Sequence, residues 1–506
     1  MSVQVIYKNR GKYKVYKTIG SSSVADDIEK LCVEGKKWIK NYIGQTDMFA
    51  SYEQDIIKQN EIEETHRVLG NVDNLLINGT ELLLWRVYRH VGFDEIDDDV
   101  LRQLVIARLS QPLSKKATVD YLKSHYDEDV QLSKIYRYMD KLNNTQQEKV
   151  QQISVKHTMK ILGGNIGIVF YDVTTLYFES DYSDELREKG YSKDGKHSQP
   201  QVVLGLLVSR GGYPLSYSIF NGAQYEGYTM LPIVEDFVQR FKLEEFIVVA
   251  DSGLMNQKNI ELLESAGYKY IIGARIKNES EEVKRWIVSL SKIDGSFYEL
   301  GKLPKSRLIV GYSENRAKKD QYNRLKGVKR LKAAYKSGTL TKENINKRGY
   351  NKFLEISDNI QVAINQEKIS DDEKWDGLKG YLTNTNFYAQ DVYESYRDLW
   401  VIEQAYRITK GTLEMRPMFH FTQKRIQAHV CICFVAYKVY RELERILIKN
   451  NINLSVNKVL SIPKTIITIR VKLPQNGSVI TKLMLLTSKH KQIAPLFEDK
   501  FWEEVN

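Results

Sequence analysis

Two apolar stretches of this 506-residue chain end in a carboxylate. In GIVFYDVTTLYFES (167–180) the β-forming run Ile168–Tyr171 leads into Asp172, and in FIVVAD (246–251) a second run leads into Asp251. Burying a charge is costly, and a lone aspartate at a strand end ordinarily reaches a turn or a helix cap. Two such strands change the balance. If they are neighbours in one sheet, Asp172 and Asp251 converge, and close carboxylates repel unless a cation lies between them. Oxygen-only ligands suit Mg²⁺ or Mn²⁺, and paired ions about 3.5–4 Å apart clamp the attacking and leaving oxygens of a phosphoryl transfer. A third acid sits in YESYRDLWVIEQAYRITKGTLEMRP (393–417), read as helical to about Gly411. Tyr396, Leu399, Glu403, Arg407 and Lys410 recur there at i, i+3, i+7, i+11 and i+14, which is one helix face. By spacing alone, that face also suits core packing with a structural ion pair.

The segment 160–275 must position the two aspartates. After the strand ending at Asp172, QVVLGLLVSR (201–210) and YPLSYSIF (213–220) flank Gly211-Gly212, a hairpin signal. A helix is expected from about Thr229 to Phe241, then the strand FIVVAD, a helix over about 256–266, and the strand YKYIIGAR (268–275). The order is βββαβαβ, so the fold class is α/β. Residues 276 to about 385 read as a largely β insertion. Its part RLIVGYSENRAKKDQYNRLKGVKRLKAAYKSG begins β-like and turns helical and cationic, and NKFLEISDNIQVAINQEKISDDEKWDGLKGYLTNT alternates like a meander. Residues 386–450 close the core with the Glu403 helix, and 451–506 carry no interpretable motif. Residues 1–150 read as mostly helical after a short β start. Ser114 and Ser133 are expected N-caps of successive helices, with Lys134, Arg137 and Lys141 on the polar side of the second. A helix-turn-helix and a plain helical hairpin both fit that pattern.

Charge is distributed unevenly. Lys302–Lys352 holds 16 lysines and arginines against 3 acids, a local +13, which leaves −2 for the rest of a chain whose net charge is +11. Charge of one sign in one segment fits a polyanion partner and argues against a neutral glycan, the substrate of the other enzymes that work with paired carboxylates. The three cysteines, Cys32, Cys431 and Cys433, cannot build a disulfide framework. Neither an apolar leader nor a membrane-length apolar run is visible, so a cytoplasmic protein is expected, nucleoid-associated when bound to DNA.

Three blocks carry a family resemblance: YDVTTLYFE, VVADSGLMNQKN and YRDLWVIEQAYRITKGTLEMRPMFHFTQKRIQAHVCICFVA. GYSKDGKHSQPQVVLGLLVSRGGYPL and IVGYSENRAKKDQYNR add to them. Over roughly 95–445 the chain resembles bacterial insertion-sequence transposases of the DDE type, of the insertion-sequence-four superfamily. That group's Tyr-Arg-Glu-Lys signature, with gaps of two, three and six, is matched by Tyr396, Glu403 and Lys410. Its Arg position holds Leu399, and Arg407, one turn beyond Glu403, is the available replacement.

The resemblance implies an RNase H-like core with a β-rich insertion behind a mostly helical DNA-binding region. It also implies a catalytic, metal-ligating triad of Asp172, Asp251 and Glu403 holding two Mg²⁺ ions, with Mn²⁺ as a substitute. A water would cut the phosphodiester at the element end, and the freed 3′-hydroxyl would attack target DNA. Phosphate contacts are expected from Tyr396, Arg407 and Lys410, and from Arg316, Lys318, Lys319 and Arg324 of the insertion. Partners would be element ends, target DNA and a second copy of the chain in the synaptic complex. Trp286 and Tyr322 are aromatic residues that a flipped base would need, although packing explains each. Glu226 and Thr229 read as a helix start, Lys196-His197 as a polar turn, and His420 and His429 as helix packing. Two alternatives stay open: a nuclease on the same fold that does not join strands, and a non-catalytic DNA-binding derivative.

Overall fold

The computed structural model describes residues 1–506 apart from 44–47, 193, 244–245, 255–256, 303–304, 341–343, 347–348, 357–361, 474–475 and 506. Lys342, Glu343, Lys347 and Arg348 of the basic stretch, part of the expected meander and residue 256 of the expected helix lie outside the described residues. The chain begins with β1 (Ser2–Asn9), β2 (Lys12–Ser21), α1 (Ala25–Tyr42), α2 (Met48–Gly70) and β3 (Val72–Leu76). Helices follow: α3 (Gly79–Val91), α4 (Asp99–Ser110), α5 (Lys115–Tyr126), α6 (Leu132–Thr145) and α7 (Gln147–Ile161). Then come β4 (Ile168–Tyr177), β5 (Gln201–Ser209), β6 (Pro214–Asn221), α8 (Met230–Phe241), β7 (Ile247–Ala250), α9 (Gln257–Ser265) and β8 (Lys269–Ala274). The insertion holds α10 (Glu281–Ser289), β9 (Phe297–Gly301), β10 (Arg307–Tyr312), α11 (Glu314–Lys336), β11 (Leu354–Ile356), β12 (Val362–Ile364), α12 (Gln366–Glu373) and β13 (Leu378–Thr383). The last elements are α13 (Ala389–Arg397), α14 (Trp400–Arg407), α15 (Gln423–Lys449), α16 (Val456–Ser461), β14 (Ile467–Lys472), β15 (Val479–Met484), α17 (Ser488–Gln492) and α18 (Asp499–Val505).

Two compact units result: Met1–Leu76 with Ile467–Met484, and Ile77–Ile466 with Leu485–Asn506. In the first, β1 and β2 pair as a hairpin, and β3 joins the C-terminal hairpin in the order β15-β14-β3. The second is built on an eight-stranded mixed sheet, order β6-β5-β4-β7-β8-β13-β10-β9. Its first five strands have the order of an RNase H-like core: a β4–β6 meander, then β7 and β8 parallel to β4. Every residue of β5 is buried, as suits a strand covered on both faces. On one face Val169, Tyr171, Val173, Val248 and Ala250 pack against Ile233, Val234 and Phe237 of α8 and Val155 of α7. Each large apolar side chain enclosed there contributes about 1.5–3 kcal/mol. On the other face α15 supplies Phe434, whose ring meets that of Tyr217. Cys431 and Cys433 are free and buried in α15, as packing residues.

The structure departs from the sequence reading in three places. The insertion does not form a sheet of its own. Its strands β13, β10 and β9 continue the core sheet beyond β8, covering an edge that would otherwise expose unpaired backbone. Among its described strands the β11–β12 hairpin alone stands apart, whereas the basic stretch runs from β10 into the 23-residue α11, β-like and then helical as its sequence reads. Second, Ser114 caps α5 by accepting from the Ala117 N–H, but α6 starts two residues earlier than expected, with Gln131 at its N-cap and Ser133 inside the helix. Third, the helix expected over 393–411 is broken. The N–H groups of Leu399 and Val401 each bond a carbonyl three residues back, a tightened turn separating α13 from α14. A π-helical turn, Ile408–Thr412, then carries Lys410.

Candidate active site

Asp172 and Asp251 are brought to one region of the sheet because β4 and β7 are adjacent parallel strands with Tyr171 opposite Ala250. Asp172 is the next residue of β4, and Asp251 directly follows β7, whose paired backbone runs about 4.8 Å from β4. Tyr171 and Ala250 face the buried core, so alternation turns Asp172 to the opposite face. Asp172 is half-buried and Asp251 lies at the open end of β7.

Two tyrosines fix the broken helix over this point. The Tyr396 hydroxyl of α13 donates to Asp251 Oδ1 at 2.7 Å. The Tyr406 hydroxyl of α14 donates to the Asp172 carbonyl at 2.7 Å and to the Leu204 carbonyl at 3.2 Å. Glu403, one turn before Tyr406, is exposed on α14. Gly273 of β8 makes room for the first contact: a Cβ there would stand 2.5 Å from the Tyr396 hydroxyl oxygen. The break in the helix thus lets one tyrosine reach each aspartate.

Lys379 of β13 completes the cluster. Its ammonium lies 4.3 Å from the centre of the Tyr396 ring, and the charges of both Asp251 and Glu403 act on it. Burial, and then Arg316, push its pKa below the ordinary lysine value against the pull of those acids. Burial would raise the Asp251 carboxyl, but the Tyr396 hydroxyl, the Ser252 and Gly253 N–H groups and Lys379 outweigh it and hold the group below its ordinary value. The Tyr396 hydroxyl is raised, by burial first and then by Asp251. Beside the acids lies a cleft of about 450 Å³ lined by Arg316, Lys379, Tyr381, Tyr393, Tyr396 and Arg397. Lys379 has no sequence signal; it is one lysine in an ordinary-looking strand.

The expected phosphate contacts divide. Arg407 is exposed. Lys410 pairs with Asp194 at 3.2 Å, and Arg416 pairs with the same carboxylate. Arg316, Lys318 and Lys319 are exposed on α11, where Lys318 pairs with Glu314 at 2.9 Å. Arg324 is turned inward. It is 4% exposed and forks onto Asp376 at 2.6 and 2.7 Å. A guanidinium buried on a carboxylate is not open to a phosphate, so Arg324 leaves the contact set. Tyr396 likewise serves Asp251. Trp286 packs on the Ile276–Leu308 core, while Tyr322 is 64% exposed.

Glu226 and Thr229 lead into α8 as expected, and Thr229 accepts the Tyr171 hydroxyl at 2.7 Å. Glu226 also acts on Tyr171 and Tyr406, the two tyrosines that Asp172 acts on, so a fourth carboxylate borders the site. His197 accepts the Ser192 N–H, and the rings of His420 and His429 pack 5.1 Å apart.

Among the described residues metal-ligand spacing belongs to a different group, His90, His157 and Glu442, whose ligand atoms lie within 4.8 Å of one another; the oxygens of Asp172, Asp251 and Glu403 do not all come that close together. Arg445 already holds both oxygens of Glu442, and Lys438 adds a second cation nearby. That surrounding opposes a divalent ion. Asp172, Asp251 and Glu403 offer only hard oxygens, the donor set Mg²⁺ and Mn²⁺ prefer.

No described helix is long and apolar enough to cross a membrane. Comparison with curated proteins gives no match. Among solved structures, the piggyBac transposase synaptic complex with hairpin DNA is 9% identical over 83% of this chain and 72% of that one, with a TM-score of 0.37. The Mos1 transposase paired-end complex with left transposon end is 11% identical over 31% and 53%, with a TM-score of 0.16. The Mos1 mariner paired-end complex with Mn is 13% identical over 35% and 55%, with a TM-score of 0.15. Likenesses with TM-scores this low do not define a fold. The family model described as "Transposase DDE domain" matches residues 163–438, more than half the chain and the whole span from β4 to α14, and the chain belongs to that family.

Proposed function

We infer that the protein is an insertion-sequence transposase, of the insertion-sequence-four superfamily, that cuts element ends and joins the 3′-hydroxyls to target DNA. One observation carries this reading: aspartates on neighbouring parallel strands lie under a helix pair that is tied to both by tyrosine hydroxyls and bears Glu403. Asp172, Asp251 and Glu403 would hold two Mg²⁺ ions, or Mn²⁺ in their place. When bound, such ions supply a water of lowered pKa and a counter-charge for the leaving 3′-oxygen. Tyr396 orients the Asp251 carboxylate, and Tyr406 ties α14, the helix that bears Glu403, to the strand of Asp172. Lys379 offers positive charge to the phosphate undergoing transfer. Arg407, Arg316 and Lys319 hold the backbone of the strand, which positions DNA without reading its sequence. Lys410, already on Asp194, joins them by exchanging one anion for another. The working form is a homodimer on paired ends, acting in the cytoplasm on nucleoid DNA.

The test uses the full chain, duplex DNA carrying the element's terminal sequence, a supercoiled target plasmid and Mg²⁺. Joined end–target products are expected. Cut ends without joining would make the protein a nuclease, and binding without cutting a non-catalytic derivative.

A further inference from the structure

The β1–β2 hairpin has a property that the transposase site does not use. From Met1 to Val24 the chain carries Lys8, Arg10, Lys12, Lys14 and Lys17 and no acid. Four of these cations fall within the seven residues around one turn. Arg10 (φ +47°) and Gly11 (φ +81°) are both left-handed and form the two-residue loop between the paired residues Asn9 and Lys12. Such a loop matches the right-handed twist of the strands. The base of the hairpin is anchored: Gly35 of α1 lies against Ile19, the Trp38 and Tyr42 rings stack at 4.9 Å, and Tyr16 meets Tyr42 edge-on at 5.2 Å. Every residue from Ile6 to Thr18 is exposed, and from Tyr7 to Val15 the ribbon extends beyond that base.

Register sorts the charges. Lys8 lies opposite Tyr13, Asn9 opposite Lys12 and Tyr7 opposite Lys14. Alternation then puts Lys8 on one face and Lys12 and Lys14 on the other, with Arg10 at the apex. A blunted sheet edge also uses lysines, but edge protection does not call for cations on both faces and at the tip with no acid between them. A ribbon about 10 Å through fits the major groove, about 12 Å wide. Seated tip-first, it would set Lys8 against one phosphate wall, Lys12 and Lys14 against the other, and Arg10 on the base edges.

We propose that the β1–β2 ribbon inserts its tip into the major groove of duplex DNA, with Arg10 reading guanine. This rests on the reading of the protein as DNA-binding and adds where and how it grips the duplex. The test compares the full wild-type chain with K8Q/K12Q/K14Q, R10Q and K8R/K12R/K14R, each checked for an unchanged thermal transition. Affinity for end duplex is measured against salt concentration, and guanine N7 protection is probed with dimethyl sulfate. The glutamine triple variant should lower the salt slope by about 2.7, at about 0.9 per phosphate, and the arginine triple variant should restore it. R10Q should lose N7 protection. If the wild type binds and the variants keep its slope and its protection, the ribbon inference falls and the transposase reading stands. If the wild type binds no duplex DNA, both fall.

Discussion

Tyr396→Phe removes one oxygen atom, and the structure says what that atom does. It donates to Asp251 Oδ1 at 2.7 Å and stands where a Gly273 side chain would otherwise lie. A hydrogen bond to an ionised group contributes about 1.5–3 kcal/mol, and the accessibility of Asp251 sets the lower end. If that bond orients Asp251 in the reacting state, its loss slows cleavage roughly tenfold. Gly273→Ala should act on the same bond from the other side. Its Cβ would meet the hydroxyl oxygen at 2.5 Å but the ring carbons only at 3.1 and 3.2 Å. In the wild type this overpacking costs about 1–3 kcal/mol; once Tyr396→Phe has removed the hydroxyl, the severe contact is gone. The two changes should therefore be less than additive by about 1 kcal/mol or more. Single-turnover cleavage of end DNA by the four proteins of the cycle, with their thermal midpoints, measures the coupling. Additivity within about 0.5 kcal/mol would show that Gly273 and the hydroxyl do not share this contact, and would refute the reasoning.

Other consequences separate structural from DNA-facing charge. Arg324→Gln should destabilise the fold by about 3 kcal/mol, because Asp376 loses its buried partner, while the salt slope of DNA binding stays unchanged. Neutralising the exposed Arg316, Lys318 and Lys319 should do the reverse, lowering that slope by about 0.9 per lost phosphate contact with little change in thermal midpoint. His157, buried among helices, has a pKa pushed down to about 3 by burial and then by Lys438. Its neutral form stabilises the native state, so the contribution is complete above about pH 6.5 and is lost as pH falls towards 3. By pH 4.5 the loss should reach about 3 kcal/mol, and His157→Gln should flatten that part of a midpoint-against-pH curve.

Much of this site was legible in the sequence because local pattern and chemistry agreed. Apolar runs ending in Asp172 and Asp251 specify strands, and the βββαβαβ order leaves few ways to arrange them; the β4–β7 neighbourhood is one. What the sequence hid depends on contacts remote along the chain. Lys379 and Arg324 look alike as cations, yet the charges of two acids of the candidate site act on Lys379, while Arg324 is claimed by Asp376. Strands β9, β10 and β13 read as a subdomain because no periodicity says whose edge a strand will join. The break at Asp398–Leu399 carries no glycine or proline to announce it; the two tyrosine anchors give it its purpose only after folding.

Glu403 bears the central claim, since only the fold can bring it to residues 152 and 231 positions earlier in the chain. Glu403→Gln keeps the side-chain shape and the helix but removes the charge that a divalent cation needs. The direct measurement is Mg²⁺-dependent cleavage of intact ends and joining of pre-cut ends by the purified full-length variant, with end-DNA affinity and thermal midpoint measured beside them. The account predicts near-native folding and binding with both chemical steps abolished, and the same for Asp172→Asn and Asp251→Asn. A Glu403→Gln protein that loses stability yet cuts or joins at near-native rates would contradict it, leaving Glu403 as an ion-pairing residue on a helix surface.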